Sequence, residues 1–396
     1  MSEKRMKPAI RFAGFTEEWE RRNASDLFAA TADKGHPELP VLSATQDRGM
    51  IKREENNINI YHEKDKEEGY KRVAPGQFVI HLRSFQGGFA HSTIEGITSP
   101  AYTVFGFKEQ ERHNDVFWKY IFSSKEFIRR LETVTYGIRD GRSISYDEFL
   151  ALSFQYPDIG EQERIAAYFK NLDTLITLHQ RKYDKLVCVK KAMLEKMFPK
   201  NGSCFPEIRF TGFTDAWELR KVGELAEFNP KGELPDTFEY VDLESVVGTE
   251  MITHREETRA TAPSRAQRLA RHGDLFYQTV RPYQKNNCLF EKPDNNYVFS
   301  TGYAQMRPNC DGRFLLCLVQ TDVFMEYVLD RCTGTSYPAI NANDLANMEI
   351  PIPNSCGEQK EIGSFFRTLD HLITLEQRAL DKLKTLKKAF LEKMFV

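Results

Sequence analysis

The chain has 396 residues, a formal net charge of −2 and a hydrophobic fraction of 41%, values typical of a soluble globular protein with two or three domains. Apolar runs are too short for a membrane span, and no export signal follows the basic N-terminus, so we expect a cytoplasmic protein. The seven cysteines include no C-x-x-C pair, which argues against a zinc site or a disulfide framework. The slightly acidic balance argues against a nonspecific nucleic-acid coat but permits a segregated basic face.

The first predicted elements are a short lead-in at residues 10–19 and a globular block that extends to about residue 157. A strand is predicted over residues 77–83, where β-branched and aromatic side chains predominate. A helix is predicted over residues 117–131. The block is therefore expected to be mixed α/β.

Two clusters in this first block combine arginine with polar and aromatic residues beside predicted turns. Arginine can pair bidentately with guanine and glutamine with adenine, and hydroxyl side chains contact phosphate oxygens. Polar loops of this kind also occur in proteins of every class. We predict DNA contacts at Arg83, Ser84, Phe85, Gln86, Arg139, Arg142 and Ser143.

A long helix is predicted after the first block, beginning near Gly160-Glu161-Gln162. Apolar residues recur at steps of three and four and form a heptad seam. The seam consists of Ile165, Phe169, Leu172, Ile176, Tyr183, Leu186, Met193 and Met197, and its second copy of Ile362, Phe366, Leu369, Ile373, Leu380, Leu383, Phe390 and Met394. Asp158 and Glu161 have the spacing of a capping box, and Pro199 ends the helix. About 38 residues at 1.5 Å each give a length of roughly 57 Å.

The lead-in, block and helix then occur a second time. Residues 208–217 repeat the lead-in, and the second helix begins at Gly357-Glu358-Gln359, 197 residues after the first. Such a repeat predicts two copies of one architecture. In the second block, a strand is predicted over residues 274–281 and a helix over residues 314–329. The matching loops predict DNA contacts at Arg281, Tyr283, Gln284, Lys285, Thr335, Ser336 and Tyr337.

A second apolar line lies beside the heptad seam on each helix. The seam can be buried between the two helices, whereas the second line needs another cover. Either the globular blocks cover it or a partner chain does. The candidate partner-binding residues are Leu175, Leu178, Leu194, Leu372, Leu375 and Leu391.

Catalytic motifs are mostly absent. The sequence contains no G-x-G-x-x-G or P-loop phosphate motif and no G-x-S-x-G nucleophile elbow. We therefore predict a non-catalytic protein without a metal site. Two other interpretations stay open: a coiled-coil scaffold with protein- or carbohydrate-binding domains, and a self-sufficient methyltransferase or nuclease.

Taken together, these features resemble the specificity subunit of type I DNA restriction–modification systems. The resemblance rests on the two Gly-Glu-Gln helices with their Leu-Glu-Lys-Met-Phe ends and on the two lead-ins of the form Arg-Phe-x-Gly-Phe-Thr-x-x-Trp. It also rests on Gly273-Asp274-Leu275 and Ser300-Thr301-Gly302-Tyr303 in the second block. In the first block, Ser143-Ile144-Ser145 departs from the commoner wording found at Ala339-Ile340-Asn341.

The resemblance implies an α+β fold in which two α/β target-recognition domains are separated by two long helices that form an antiparallel coiled coil with pseudo-two-fold symmetry. The corresponding segments are residues 1–157, 158–200, 201–353 and 354–396. Each domain would read one half of a bipartite, asymmetric site on double-stranded DNA. The implied partners are two methyltransferase subunits and translocase–endonuclease subunits. S-adenosylmethionine, ATP and magnesium would be bound by those partners, and this chain would have no cofactor.

Overall fold

The computed structural model describes residues 7–45, 48–56, 64–81, 88–134, 145–200, 202–334 and 337–395. The chain forms two compact units, Met1–His179 with Ala379–Val396, and Gln180–Arg378. Each unit combines one globular block with a part of each long helix. This grouping follows packing, so it divides both helices, which the predicted boundaries along the chain keep as separate segments.

The first unit is built on a four-stranded antiparallel sheet with the strand order β2-β9-β6-β7. Its described strands are β1 (Glu20–Asn23), β2 (Phe28–Thr31), β3 (Leu42–Thr45), β4 (Gly49–Lys52), β5 (Lys71–Val73), β6 (Phe78–Ile80), β7 (Phe89–His91), β8 (Gly96–Thr98), β9 (Thr103–Phe107) and β10 (Ser153–Tyr156). Its helices are α1 (Ala24–Leu27), α2 (Asp115–Phe122), α3 (Lys125–Val134), α4 (Tyr146–Leu150) and the first part of α5 (Ile159–Lys196). Aromatic rings fill the core, with Phe28, Phe105 and Trp118 at most 1% exposed.

The second unit contains two four-stranded sheets, with the orders β12-β21-β18-β19 and β16-β13-β20-β17. Its described strands are β11 (Glu218–Lys221), β12 (Ala226–Phe228), β13 (Thr237–Val241), β14 (Val246–Val247), β15 (Glu250–Met251), β16 (Arg255–Thr258), β17 (Ala266–Leu269), β18 (Leu275–Gln278), β19 (Cys288–Leu289), β20 (Tyr297–Ser300), β21 (Tyr303–Pro308) and β22 (Glu349–Ile352). Its helices are α6 (Val222–Leu225), α7 (Gly312–Gln320), α8 (Asp322–Leu329), α9 (Ala342–Ala346) and the first part of α10 (Cys356–Lys393).

In each block, the structure has two helices where the sequence predicts one. The helix predicted over residues 117–131 is divided into α2 and α3, because the Ser124 hydroxyl accepts the Phe127 N–H at 3.2 Å and starts a new helix. The helix predicted over residues 314–329 is divided in the same way, since Thr321 accepts the Phe324 N–H at 3.1 Å. A hydroxyl residue favours this N-cap position, so the two single-helix predictions were wrong for one physical reason.

The two long helices are antiparallel wherever they pair. In the first unit, Asp173 of α5 forms an ion pair with Lys387 of α10, and the Tyr168 and Phe390 rings are 5.3 Å apart. In the second unit the equivalent ion pair joins Lys190 to Asp370. The predicted seam is largely covered, with Phe169 and Phe366 at 0% exposure. The structure thus confirms the α+β class and the antiparallel helices. No helix in the described part of the chain is long and apolar enough to cross a membrane.

A buried histidine should make the first unit sensitive to acid. The His113 ring is 7% exposed and lies 4.8 Å from the Phe107 ring. Burial disfavours the charged imidazolium and lowers the pKa of His113 to about 4. The unfolded chain therefore binds this proton more tightly than the native unit, and the stabilisation that is complete above about pH 6.5 is lost as the pH falls towards 4.

We expect His113→Phe to remove this acid sensitivity. In the wild type, acidification from pH 6.5 to pH 4 should lower the unfolding free energy by about 1–2 kcal/mol more than in the variant, after allowance for solvent screening. The slope of unfolding free energy against pH is therefore smaller in the variant. Urea denaturation at several pH values measures it, and His36→Phe is the control because His36 is partly exposed and paired with Asp33. An unchanged slope in the His113 variant would contradict the assignment.

Candidate DNA interface and partner-binding surface

The repeated motifs meet in a buried clasp at the start of each long helix. In the first unit, the Glu161 carboxylate is 0% exposed and accepts two hydrogen bonds from the Arg11 guanidinium, at 2.8 and 2.6 Å. It also accepts the Trp19 indole N–H at 3.2 Å. The second unit repeats the clasp with Arg209, Glu358 and Trp217. The lead-in therefore holds the first turn of the helix that follows its block.

The capping box predicted at this position is only half formed. The Glu161 N–H donates to Asp158 Oδ1 at 3.1 Å, as expected for an N-cap. The Glu161 side chain points to the arginine and tryptophan of the lead-in instead of returning to the cap residue. Gln162, the next residue of the motif, donates to the Pro157 carbonyl at 2.8 Å and accepts the Asn114 N–H at 3.0 Å.

Each lead-in also contacts the end of the other long helix. The Ile10 N–H donates to the Lys393 carbonyl of α10 at 3.0 Å. In the second unit, the Ile208 N–H donates to the Lys196 carbonyl of α5 at 2.9 Å. These bonds use helix C-terminal carbonyls that have no partner within the helix. The first unit therefore brings the two ends of the described chain together, as the antiparallel arrangement predicts.

The Gly-Asp-Leu motif of the second block is structural. Gly273 has a φ of +90° and allows the turn into β18. Asp274 is 1% exposed and accepts from Arg307, Gln305 and the Arg271 N–H. In the first block, Gln77 accepts the Ala74 N–H at 2.8 Å in the same way.

Five of the predicted DNA-contact residues of the second block belong to the described part of the chain, and they lie in and around one loop between β18 and β19. Arg281 places its guanidinium 4.5 Å from the centre of the Tyr337 ring. Tyr283 and Tyr337 are both exposed by more than half. Gln284 is exposed, and its Oε1 accepts from Gln278 at 2.8 Å. Lys285 differs, because its ammonium group donates to the Gln320 carbonyl and to Asp322.

The other predicted contacts belong to two stretches of the first block and one of the second. Arg83, Ser84, Phe85, Gln86, Arg139, Arg142 and Ser143 of the first block lie outside the described residues, as do Thr335 and Ser336 of the second. Their role in binding DNA stays a prediction.

Sequence reasoning overlooked a basic segment in the second block. Residues 254–285 contain seven Lys or Arg and three Asp or Glu, although the whole chain has a net charge of −2. Arg265 is exposed, and its carbonyl accepts the Thr301 N–H at 2.8 Å. The Gly302 carbonyl accepts the N–H of Thr279 at 2.9 Å, and Thr279 precedes Arg281 by two residues. Arg265 and the Arg281 loop thus flank the same turn, and counting charge in windows would have found the segment.

The second apolar line of the helices is partly exposed. Leu175, Leu178 and Leu375 are 43%, 54% and 45% exposed, and Leu372 is half-buried. Leu194 and Leu391 instead pack against the hydrophobic cores of the second and first units. The globular blocks therefore cover one part of the line, and the other part is exposed. Partner binding at these six leucines stays a prediction.

The chain is similar to known proteins along most of its length. The family described as "Type I restriction modification DNA specificity domain" matches residues 214–385. The MjaVIII type I restriction enzyme specificity subunit of Methanocaldococcus jannaschii is 21% identical over 295 residues, which cover 69% of this chain and 68% of that protein. The HindI specificity subunit of Haemophilus influenzae is 25% identical over 140 residues, covering 34% and 30%.

Two solved structures share the fold. The S subunit of a type I restriction–modification system from M. genitalium has a TM-score of 0.57 at 14% identity and covers 99% of both chains. A chain from work on complex assembly and conformational transition of the type I system has a TM-score of 0.52 at 16% identity, covering 95% of this chain and 97% of that one.

The fold and the duplicated clasps define a class of proteins with two α/β blocks, each joined to one of two long antiparallel helices. Within that class, residues 214–385 match the type I restriction modification DNA specificity domain, and the chain as a whole is similar in fold to specificity subunits of type I restriction–modification systems.

Proposed function

We propose that this protein reads a bipartite sequence on double-stranded DNA and delivers it to a type I restriction–modification complex, each block reading one half of the site. The observation that supports the proposal most strongly is the Arg281 loop, where a half-buried Arg and exposed Tyr and Gln side chains lie within a segment rich in positive charge. Arginine and glutamine can both read base edges through bidentate hydrogen bonds. The surrounding cations suit the phosphate backbone.

In this proposal the chain is non-catalytic. Methyl transfer would belong to two methyltransferase subunits that bind S-adenosylmethionine, and ATP-driven cleavage would belong to translocase–endonuclease subunits. The helices would set the spacing of the two half-sites. A scaffold for protein or carbohydrate binding is the alternative, and it leaves the basic segment without a role.

Reconstitution tests the proposal. The full chain is assembled with the methyltransferase subunits of its own system, and the modified sequence is read by methylation-sensitive sequencing. We expect the modified sites to share one bipartite motif. At the same salt concentration, the complex should then bind a duplex with this motif tightly and a scrambled duplex more weakly. Methylation without sequence preference, or activity from the purified chain alone, would contradict the proposal.

Exposed leucines on the helices should bind the methyltransferase subunits. Replacing Leu178 with Glu puts a charge into an apolar contact, so we expect at least about tenfold weaker subunit binding, or about 1.4 kcal/mol. Calorimetric titration of the subunit into the full chain measures this. Thr177→Glu is the matched control, because Thr177 is exposed next to Leu178 but lies about 100° away from it around the same helix. Equal losses in both variants, or none in Leu178→Glu, would place the partner elsewhere.

A further inference from the structure

The loop between β18 and β19 adopts an unusual backbone conformation. Arg281 and Lys285 both have a φ of +54°, and the residues between them form a single 3₁₀ turn, Pro282–Gln284. Residues other than glycine rarely adopt this left-handed backbone conformation. Such strain costs of the order of 1 kcal/mol or more per residue and persists only where surrounding contacts impose it. Two such residues at the ends of one turn indicate a conformation that is held for a purpose.

Lys285 closes the loop from one side. Its ammonium group donates to the Gln320 carbonyl at 2.9 Å and to the Asp322 carboxylate, at the junction of α7 and α8. The Gln320 side chain donates back to the Lys285 carbonyl at 2.9 Å. This reciprocal arrangement uses two of the three donors of the ammonium group. Lys285 is therefore occupied within the protein, although the sequence predicts it as a DNA contact.

Gln278 holds the loop from beneath. Gln278 is 1% exposed. Its Nε2 donates to the Val280 carbonyl at 2.7 Å and to Gln284 Oε1 at 2.8 Å. The Val280 carbonyl can only accept, so the amide orientation of Gln278 is defined. Gln284 must then turn its Oε1 towards the protein. Its Nε2 donors are left for a ligand.

Arg281 is held from a third direction. Its N–H donates to the Pro338 carbonyl at 2.8 Å, and its guanidinium lies over the Tyr337 ring. A cation over an aromatic face is attracted by the ring and loses freedom of movement. The guanidinium still has donors at its edge, because stacking uses only its face.

We propose that residues 281–285 form a preorganised reading loop that presents the hydrogen-bond donors of Arg281 and Gln284 to a guanine edge in the major groove, with Lys285 and Asp322 as positioning residues. Guanine offers two acceptors there, N7 and O6, whereas the other bases offer fewer or mix acceptors with donors. The inference rests on the proposed function, because it names the base and the residues that position its reader.

Charge-changing variants on both sides of the Lys285–Asp322 pair separate positioning from direct contact. In the reconstituted complex, Lys285→Met and Asp322→Asn should each weaken binding to the motif that methylation identifies by about tenfold. Both should leave binding to a scrambled duplex and its salt dependence unchanged. The double variant should be no weaker than either single variant, since the two residues act as one pair.

A phosphate contact at Lys285 would behave differently. Lys285→Met would then weaken binding to every duplex and lower the salt slope by about one, and Asp322→Asn would tighten binding by releasing the lysine. Those results would overturn the inference. Glu326→Gln is the control, because Glu326 is an exposed acid on the same helix as Asp322. Thermal unfolding of each variant checks that the second unit is folded.

The methylated motif itself provides the second test. We expect guanine at the position whose recognition is lost in the Arg281→Lys variant, because lysine keeps the charge but cannot form the bidentate pair. Another base at that position would overturn the assignment of guanine. A wild-type complex that shows no sequence preference would refute the proposed function, whereas a selective complex with unaffected variants would refute only the reading loop.

Discussion

Glu161→Ala should destabilise the first unit by about 3–5 kcal/mol, the usual cost of removing one partner from a buried ion pair. The variant leaves the Arg11 guanidinium and the Trp19 indole N–H without their acceptor. The Arg11 guanidinium cannot escape the cost by losing its proton, because arginine stays charged in proteins. A loss of this size is a large part of the stability of a typical domain.

Native-state hydrogen exchange measures the effect for each unit separately. Protection should fall in β1, β10 and the first turns of α5, and Glu358→Ala should have the equivalent effect around β11, β22 and the start of α10. Glu163→Ala is the matched control, since Glu163 is exposed in the same helix turn. Equal effects of Glu161→Ala and Glu163→Ala would show that the clasp contributes little to stability.

Arg281→Ala should weaken binding of the reconstituted complex to its methylated motif by about 5- to 150-fold, equivalent to about 1–3 kcal/mol. It should also relax the requirement at one base. The physical reason is the loss of a preoriented bidentate donor, for which water at the protein surface is a poor substitute. Binding to a scrambled duplex should change much less.

Arg259→Ala is the matched control for this prediction. Arg259 is exposed and belongs to the same basic segment, but its N–H donates to the Asp236 carbonyl after the end of β16. Titration of labelled duplexes, one with each base at the affected position, compares the two variants. If both lose the same affinity for every duplex, Arg281 contributes only general attraction to phosphate.

Much of the architecture follows from the sequence. The 197-residue repeat predicts two equivalent units, and the three-and-four spacing of Phe169 and Phe366 predicts the buried seam that the structure contains. These features are determined locally, because a helix places residues three and four apart on one face whatever the rest of the chain does. The Gly-Glu-Gln and lead-in motifs were also visible, but nothing in the sequence indicated that they contact each other.

Only the tertiary structure decided which side chains meet. Glu161 has the spacing of a capping residue, yet it binds Arg11, which is 150 residues away in the chain. Lys285 is a cation in a basic loop, as a phosphate contact would be, yet its ammonium group pairs with Asp322. A charged side chain has several possible partners, and the one it takes depends on which groups packing removes from water beside it. Periodicity therefore determined the elements of this protein, whereas the burial of polar groups at long sequence separation decided their roles.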